Sequence, residues 1–181
     1  SGFIGTNVMD YLIENNFSCI NIDFNPPRKR AHMGYWIDVD ILDFDALENA
    51  ITSFGPTHII HLAATLGMDH KTLETLDTNI KGVENLIKIL ESKNDIKRII
   101  FTSSLLVCRG GYIPKNDVDY CPPNFYGESK AIGEKLVRSA KLKCEWVIVR
   151  PTSIWGPWFD YSYKSFFKVI DKNMYMHIGN N

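Results

Sequence analysis

The sequence predicts an α/β fold in which a doubly wound parallel sheet carries helices on both faces. Short apolar runs of strand length alternate with segments whose apolar residues recur at helical spacing, which is typical of βαβ units. The runs are rich in β-branched residues and almost continuously apolar, as expected of strands buried on both faces. The predicted strands are residues 19–23, 35–39, 58–62, 98–102 and 146–149.

Helices are predicted between these strands. The clearest has an apolar stripe made of Ile80, Val83, Leu86, Ile87 and Leu90. Similar stripes run through residues 3–13, 44–54 and 131–137. Because doubly wound sheets bind ligands at the carboxyl ends of their strands, we expect functional residues directly after each strand.

The length and composition indicate one globular domain, residues 1–181. Twenty Lys and Arg against 21 Asp and Glu give a net charge of −1, so neither nucleic acid nor an anionic membrane is an expected partner. No apolar run approaches the roughly 18 residues of a membrane-spanning helix, and a soluble protein is expected. Cys19, Cys108, Cys121 and Cys144 are too far apart for a C-x-x-C site, which favours reduced thiols and a cytoplasmic location.

The first functional motif is the run Gly2-Phe3-Ile4-Gly5, which opens a helical stripe. Glycines at this position let the backbone approach a pyrophosphate at a helix N-terminus, although two glycines three apart also occur by chance. Asp23 ends the next strand, about 20 residues further on, where a carboxylate binds both ribose hydroxyls. Such an acid repels a 2′-phosphate and favours NAD over NADP. The basic run 28–30 would favour NADP, but a solvated loop is the preferred interpretation.

The second motif is Tyr126 and Lys130, four residues apart and therefore on one face of a helix. A nearby ammonium group is expected to lower the pKa of the phenol from about 10 toward the range useful for acid–base catalysis. The spacing alone is also compatible with an exposed Tyr beside a Lys. Position strengthens the functional reading, because Ser104 follows the strand 98–102 and the segment 150–152 follows the strand 146–149.

Other polar residues have two possible roles. Asp40 could accept a hydrogen bond from an adenine amine or cap the helix that follows it. Asn79 could contact the cofactor or form a structural hydrogen bond. His58 and His61 flank a strand without metal-ligand partners, so a structural role is expected and no metal site is predicted. Trp155, Trp158 and Phe159 are expected to pack against parts of the protein that lie outside this sequence.

Together these residues resemble the extended short-chain dehydrogenase/reductase family, the NAD-dependent epimerases and dehydratases of nucleotide sugars. The resemblance runs in family order along nearly the whole chain and implies a Rossmann-like fold. Its matching segments are Gly2 to Gly5, Asp23, Asp40-Ile41, His61 to Ala64, Asn79 with Gly82 and Asn85, Thr102 to Ser104, Tyr126 with Ser129-Lys130, and Arg150-Pro151 with Gly156-Pro157.

The resemblance implies roles for individual residues. The implied catalytic residues are Ser104, Tyr126 and Lys130. Tyr126 would take a proton from a sugar hydroxyl as hydride passes to NAD, and Lys130 would hold the nicotinamide ribose. The implied cofactor-binding residues are Gly2, Phe3, Ile4, Gly5, Asp23, Asp40, Ile41, Leu62, Ala63, Ala64, Asn79, Tyr126, Lys130, Pro151 and Thr152. The implied partners are a nucleotide-sugar substrate and a second copy of the protein, as a homodimer.

One departure from the family pattern narrows the activity. Leu105-Leu106 stands where dehydratases carry an Asp-Glu pair after the serine or threonine, which counts against elimination of water. A nucleotide-sugar epimerase is therefore the leading hypothesis, and a reductase of a keto sugar or another carbonyl substrate is the alternative. A non-catalytic NAD(P)-sensing protein or an inactive fragment is the alternative of another class.

The ends of the chain prompt a further expectation. In the family, the first strand and first glycine would precede Ser1, and most of the substrate-binding lobe would follow Asn181. We therefore expect a fragment that lacks its first strand, in which the strands ending at Asp23 and Leu62 face an empty position. Such a piece is expected to bind NAD poorly.

Overall fold

The computed structural model describes residues 1–159 and 164–174, and it shows an α/β fold built on parallel strands. β1 (Asn21–Ile22) pairs with β2 (Trp36–Ile37) in one sheet. β3 (His58–His61), β4 (Arg98–Thr102) and β5 (Glu145–Val149) form the other sheet in that order. The predicted α/β class is confirmed, while the strands form two parallel sheets instead of one.

The predicted helices are present, with the first before β1 and the others between strands, and in the described part of the chain a further helix follows β5. The helices are α1 (Phe3–Glu14), α2 (Phe44–Phe54), α3 (Asp77–Ser92), α4 (Phe125–Ser139) and α5 (Lys164–Asp171). Three short 3₁₀ turns cover Arg30–Tyr35, Glu74–Leu76 and Leu105–Val107. Among the described residues, no helix is long and apolar enough to cross a lipid bilayer.

The parallel register brings the strand ends together. His61 of β3 is opposite Phe101 of β4, and Thr102 of β4 is opposite Val149 of β5. The chain therefore leaves all three strands at one edge of the sheet, and the segments that begin at Leu62, Ser103 and Arg150 are neighbours there.

Helix α3 supplies the centre of the core. Its Val83, Leu86, Ile89 and Leu90 are at most 6% exposed and pack with β4. Leucines and isoleucines of α2 join the same cluster. Burying a side chain of this size stabilises the fold by roughly 1.5–3 kcal/mol, so the amphipathic stripes are what fix the helices on the sheet.

The expectation that all strands are buried on both faces is wrong for β5. Trp146, Val147 and Val149 are 36–42% exposed, and Ile148 is the β5 residue that packs against the core. β5 lies at the edge of its sheet, so a β-branched apolar run here marks an edge strand with one covered face. Ile60 of β3 is also 42% exposed.

Candidate active site

The N-terminus of α1 lies open beside the loop that follows β3. Gly2 is the N-cap residue and no side chain caps the helix, while a Cβ built on Gly2 would meet nothing within 4 Å. A Cβ on Gly5 would lie 3.9 Å from Leu62 Cδ1. The start of α1 therefore has open space at Gly2, and Gly5 lies beside Leu62; binding of a pyrophosphate there stays a prediction.

Asp23 lies at the same place. Its Oδ1 accepts a hydrogen bond from the Asn25 amide at 2.8 Å, and its Oδ2 is 2.7 Å from the Ser1 amine. The Trp36 indole Nε1 donates to the Asp23 carbonyl at 2.6 Å, which ties the end of β1 to β2. The carboxylate thus lies within one residue of the glycine turn, where a ribose ligand would be needed.

Asp40, three residues after the end of β2, forms a structural contact. The exposed Asp40 accepts a hydrogen bond from the Leu42 amide at 2.9 Å. The cap of α2 is Asp43, whose Oδ1 accepts from the Ala46 amide at 3.0 Å, so the capping role considered for Asp40 is wrong.

The side chain of Ile41 packs on α3, because a Cβ on Gly82 would lie only 2.8 Å from Ile41 Cγ2. The Ile41 carbonyl accepts a hydrogen bond from Asn85 Nδ2 at 3.0 Å. The loop after β2 is therefore held against α3. An adenine contact by Asp40 or Ile41 stays a prediction.

Asn79 forms structural hydrogen bonds. Its side chain is 1% exposed; Oδ1 accepts from the Thr65 amide at 2.8 Å, and Nδ2 donates to the Thr65 carbonyl at 3.1 Å and to Ser129 Oγ at 2.9 Å. Both amide hydrogens are used within the protein, which confirms a structural role, and a contact of Asn79 with the cofactor stays a prediction. Asn79 fixes the loop carrying Ala63 and Ala64 against α4.

Ser104, Tyr126 and Lys130 come together at the strand ends. Asn124 caps α4 by accepting a hydrogen bond from the Gly127 amide at 2.8 Å, which places Tyr126 in the first helical turn. The Ser104 hydroxyl lies near the Tyr126 phenol and acts to lower its pKa, while Ser104 Oγ accepts a hydrogen bond from the Leu106 amide at 3.1 Å. Lys130 Nζ lies 5.9 Å from the centroid of the Tyr126 ring and donates to the Thr102 carbonyl at 3.2 Å. The structure therefore assembles the predicted cluster.

The electrostatics of this cluster differ from the expectation. Burial raises the pKa of Tyr126, and the hydrogen bond from Ser104 opposes that increase only in part. Burial lowers the pKa of Lys130 to about 8. The expected decrease in the pKa of the Tyr126 phenol is thus wrong for the chain by itself, because burial removes water from the phenol and outweighs the effect of Ser104.

A close backbone contact sets the spacing between α4 and the segment after Ser104. A Cβ on Gly127 would lie 2.1 Å from the Leu106 carbonyl oxygen, so only glycine fits there. The Leu105 amide donates to the Pro151 carbonyl at 3.0 Å. The backbone of Pro151 therefore holds the segment after Ser104 in place. The neighbouring Thr152 is exposed.

The sequence analysis did not identify Glu134, a buried carboxylate near the site, and it assigned His61 only a structural role. Glu134, 2% exposed, lies eight residues after Tyr126 and four after Lys130, a helical spacing that could have drawn attention to it. His61 is 6% exposed, and its Nε2 has no hydrogen-bond partner among the described residues. Both line a cavity of about 20 Å³ together with Lys130.

The structure corrects two expectations near α1. The run 28–30 is more than a solvated loop, because Lys29 Nζ lies 2.6 Å from Asp10 Oδ1. Phe159 packs edge-on against Phe3 of α1, with ring centroids 5.3 Å apart, so the expectation that it packs against chain outside this sequence is wrong. The four cysteines are free. In the described ranges, no group of three or more His, Cys, Asp or Glu is arranged as a metal site.

The comparison with protein families agrees with this geometry. Residues 1–175 match the NAD dependent epimerase/dehydratase family. The chain belongs to this family.

Two curated relatives are 4-epimerases. The chain is 32% identical over 164 residues to N-acetyl-alpha-D-glucosaminyl-diphospho-ditrans,octacis-undecaprenol 4-epimerase of Escherichia coli O157:H7, covering 86% of this chain and 47% of the relative. It is 30% identical over 204 residues to UDP-glucose 4-epimerase of Vibrio cholerae, covering 99% and 57%. The chain thus spans about half the length of these relatives.

A solved structure shares the fold. The Bordetella bronchiseptica enzyme WbmG in complex with NAD superposes with a TM-score of 0.81 at 26% identity, over 95% of this chain and 57% of that one. WbmG has also been solved with NAD and UDP together. The α/β arrangement described above is therefore that of Rossmann-type epimerase structures.

Proposed function

We propose that the whole protein carrying this chain is an NAD-dependent nucleotide-sugar 4-epimerase. The observation that supports this most is the cluster of Ser104, Tyr126 and Lys130 at the strand ends. The two 4-epimerase relatives support the position of the reaction on the sugar. Leu105 and Leu106, in place of the acidic pair of dehydratases, favour epimerisation over loss of water.

The residues at the start of α1 fit a dinucleotide. The uncapped helix N-terminus and the open space at Gly2 would accept a pyrophosphate. The carboxylate of Asp23 would bind the adenosine ribose and disfavour the extra phosphate of NADP. When bound, NAD would accept a hydride from the sugar carbon and return it to the opposite face.

Side chains of this chain would transfer the proton in this reaction. Tyr126 would remove the proton from the sugar hydroxyl, while Ser104 donates a hydrogen bond to the same oxygen. Because burial raises the pKa of Tyr126, a neighbouring positive charge is needed to favour its ionised form. Lys130 Nζ lies 5.9 Å from the centroid of the Tyr126 ring, so Lys130 would supply this positive charge.

The test is Tyr126→Phe in the whole protein, with the exposed Tyr11→Phe as the matched control. Purified protein is incubated with NAD and with a panel of UDP-sugars, and the epimers are resolved by NMR. We expect Tyr126→Phe to lose at least about 100-fold in kcat, the usual scale for a lost acid–base group, and Tyr11→Phe to retain activity. Full activity of Tyr126→Phe would contradict the proposal.

The same assay separates the alternatives. An epimerase shows no net change in NADH, whereas a reductase consumes it. A non-catalytic NAD sensor would bind NAD and convert no sugar. We further propose that the whole protein is a homodimer, which light scattering after size exclusion tests.

A further inference from the structure

We propose that Glu134 is a positioning residue, which holds the end of β4 against α4 so that Ser104 meets Tyr126. This inference rests on the proposed function, because it assigns Glu134 an effect on the reaction through these two residues. Glu134 itself is only 2% exposed, so it is not expected to contact a substrate.

Glu134 is the centre of a buried hydrogen-bond network. Its Oε1 accepts from Ser103 Oγ at 2.6 Å and from Arg150 Nε at 2.8 Å. Its Oε2 accepts from Arg150 Nη2 at 2.6 Å and from the Tyr120 hydroxyl at 3.1 Å. The guanidinium binds both carboxylate oxygens, which is the geometry that fixes an arginine most firmly. The network thus joins α4 to the ends of β4 and β5.

The charge of Glu134 is stabilised despite its burial. Burial acts to raise the pKa of this carboxyl, but the hydrogen bonds from Arg150 and Ser103 outweigh it, and the pKa is lowered. The carboxylate is therefore ionised at neutral pH and can hold all its donors. A buried ion pair of this kind is a stronger argument for fixed geometry than for net stability.

Two consecutive serines transmit this geometry to the site. Ser103 donates a hydrogen bond to Glu134, and Ser104, the next residue, lies near the Tyr126 phenol and acts to lower its pKa. On α4 these two contacts are eight residues apart, about 12 Å along the helix. Lys130 lies between them and donates to the Thr102 carbonyl. The end of β4 is therefore attached to α4 at three successive turns, and the contact of Glu134 is the one outside the site.

Ser103→Ala is the cleanest perturbation, because it removes one hydrogen bond and leaves the pair of Glu134 with Arg150 in place. Ser139→Ala is the matched control. Ser139 lies at the far end of α4, and its Oγ also donates a single hydrogen bond, to the Leu136 carbonyl at 3.0 Å. Ser103→Thr keeps the hydroxyl and is the rescue variant. All three are made in the whole protein, with NAD and UDP-glucose as the probe.

For Ser103→Ala we expect kcat to fall about tenfold while KM changes less than about twofold, as for an interaction that matters in the transition state. We also expect a shift in the pH profile of kcat/KM: the limb that reports ionisation of Tyr126 should move to higher pH, because a displaced Ser104 lowers the pKa of Tyr126 less. Ser103→Thr should recover most of kcat, and Ser139→Ala should match the parent.

The outcomes separate this proposal from the proposed function. If Ser103→Ala keeps the kcat and pH profile of Ser139→Ala while Tyr126→Phe is inactive, Glu134 has no positioning role and the epimerase proposal stands. A lower melting temperature of Ser103→Ala with unchanged kcat is likewise a purely structural result and overturns the inference. If Tyr126→Phe is fully active, the proposed function itself fails.

Discussion

Burial of His61 makes the folded chain sensitive to acid. Burial, assisted by the nearby charge of Lys130, lowers the pKa of His61 from 6.5 to about 3. Between these values the unfolded chain binds a proton that the folded chain does not, so stability is complete above pH 6.5 and is lost as the pH falls toward 3. The full difference is roughly 5 kcal/mol, of which about 2 kcal/mol is lost by pH 5.

Urea unfolding of the chain, followed by circular dichroism at pH 7 and pH 5, measures this loss. His61→Gln removes the titrating group, so the decrease in unfolding free energy between the two pH values should be smaller than in the parent by about 2 kcal/mol. His58→Gln changes an exposed histidine of the same strand and should behave like the parent. An unchanged pH dependence in His61→Gln would refute the reasoning.

Three further predictions concern the surroundings of the site. Because the pKa of Lys130 in the folded chain is about 8, the parent should gain up to roughly 3 kcal/mol of unfolding free energy between pH 8 and 10.5. Urea titrations at rising pH should show no such gain in Lys130→Met. Gly127→Ala should lower the melting temperature strongly, since its Cβ would meet the Leu106 carbonyl oxygen at 2.1 Å; Gly110→Ala, where a Cβ meets nothing within 4 Å, should change little. Asn79→Ala should cost about 1–3 kcal/mol in chemical denaturation, because it leaves the backbone groups of a loop unpaired, and a loss below about 0.5 kcal/mol would contradict that role.

Sequence patterns were sufficient for the elements that bury one apolar stripe. The stripe of α3 and the run before Ser104 predicted a helix and a strand at the observed places, because burial alone decides those positions. β1 is shorter than its apolar run, since pairing in this sheet extends over only two residues, Asn21 and Ile22. Pairing depends on a neighbouring strand, which an apolar run does not reveal.

The site was predictable to the level of which residues meet. Ser104 follows β4, and Tyr126 and Lys130 lie on one face of α4, so the sequence predicted that these side chains meet. The structure brings them together. The sign of the Tyr126 pKa shift was not predictable, because it depends on how much water the fold removes from both groups. The role of Glu134 was also hidden, since its partners come from three separate parts of the chain.

The division of the strands into two sheets has a consequence for local opening. Amides of β1 and β2 are protected by only a short ladder, whereas those of β3, β4 and β5 share a longer one, so two populations of hydrogen-exchange rates are expected. Asp23 belongs to the first ladder and Leu62 follows the second. A ligand that bridges these two residues would couple both blocks into one cooperative unit, and slower exchange in the first block would report its binding.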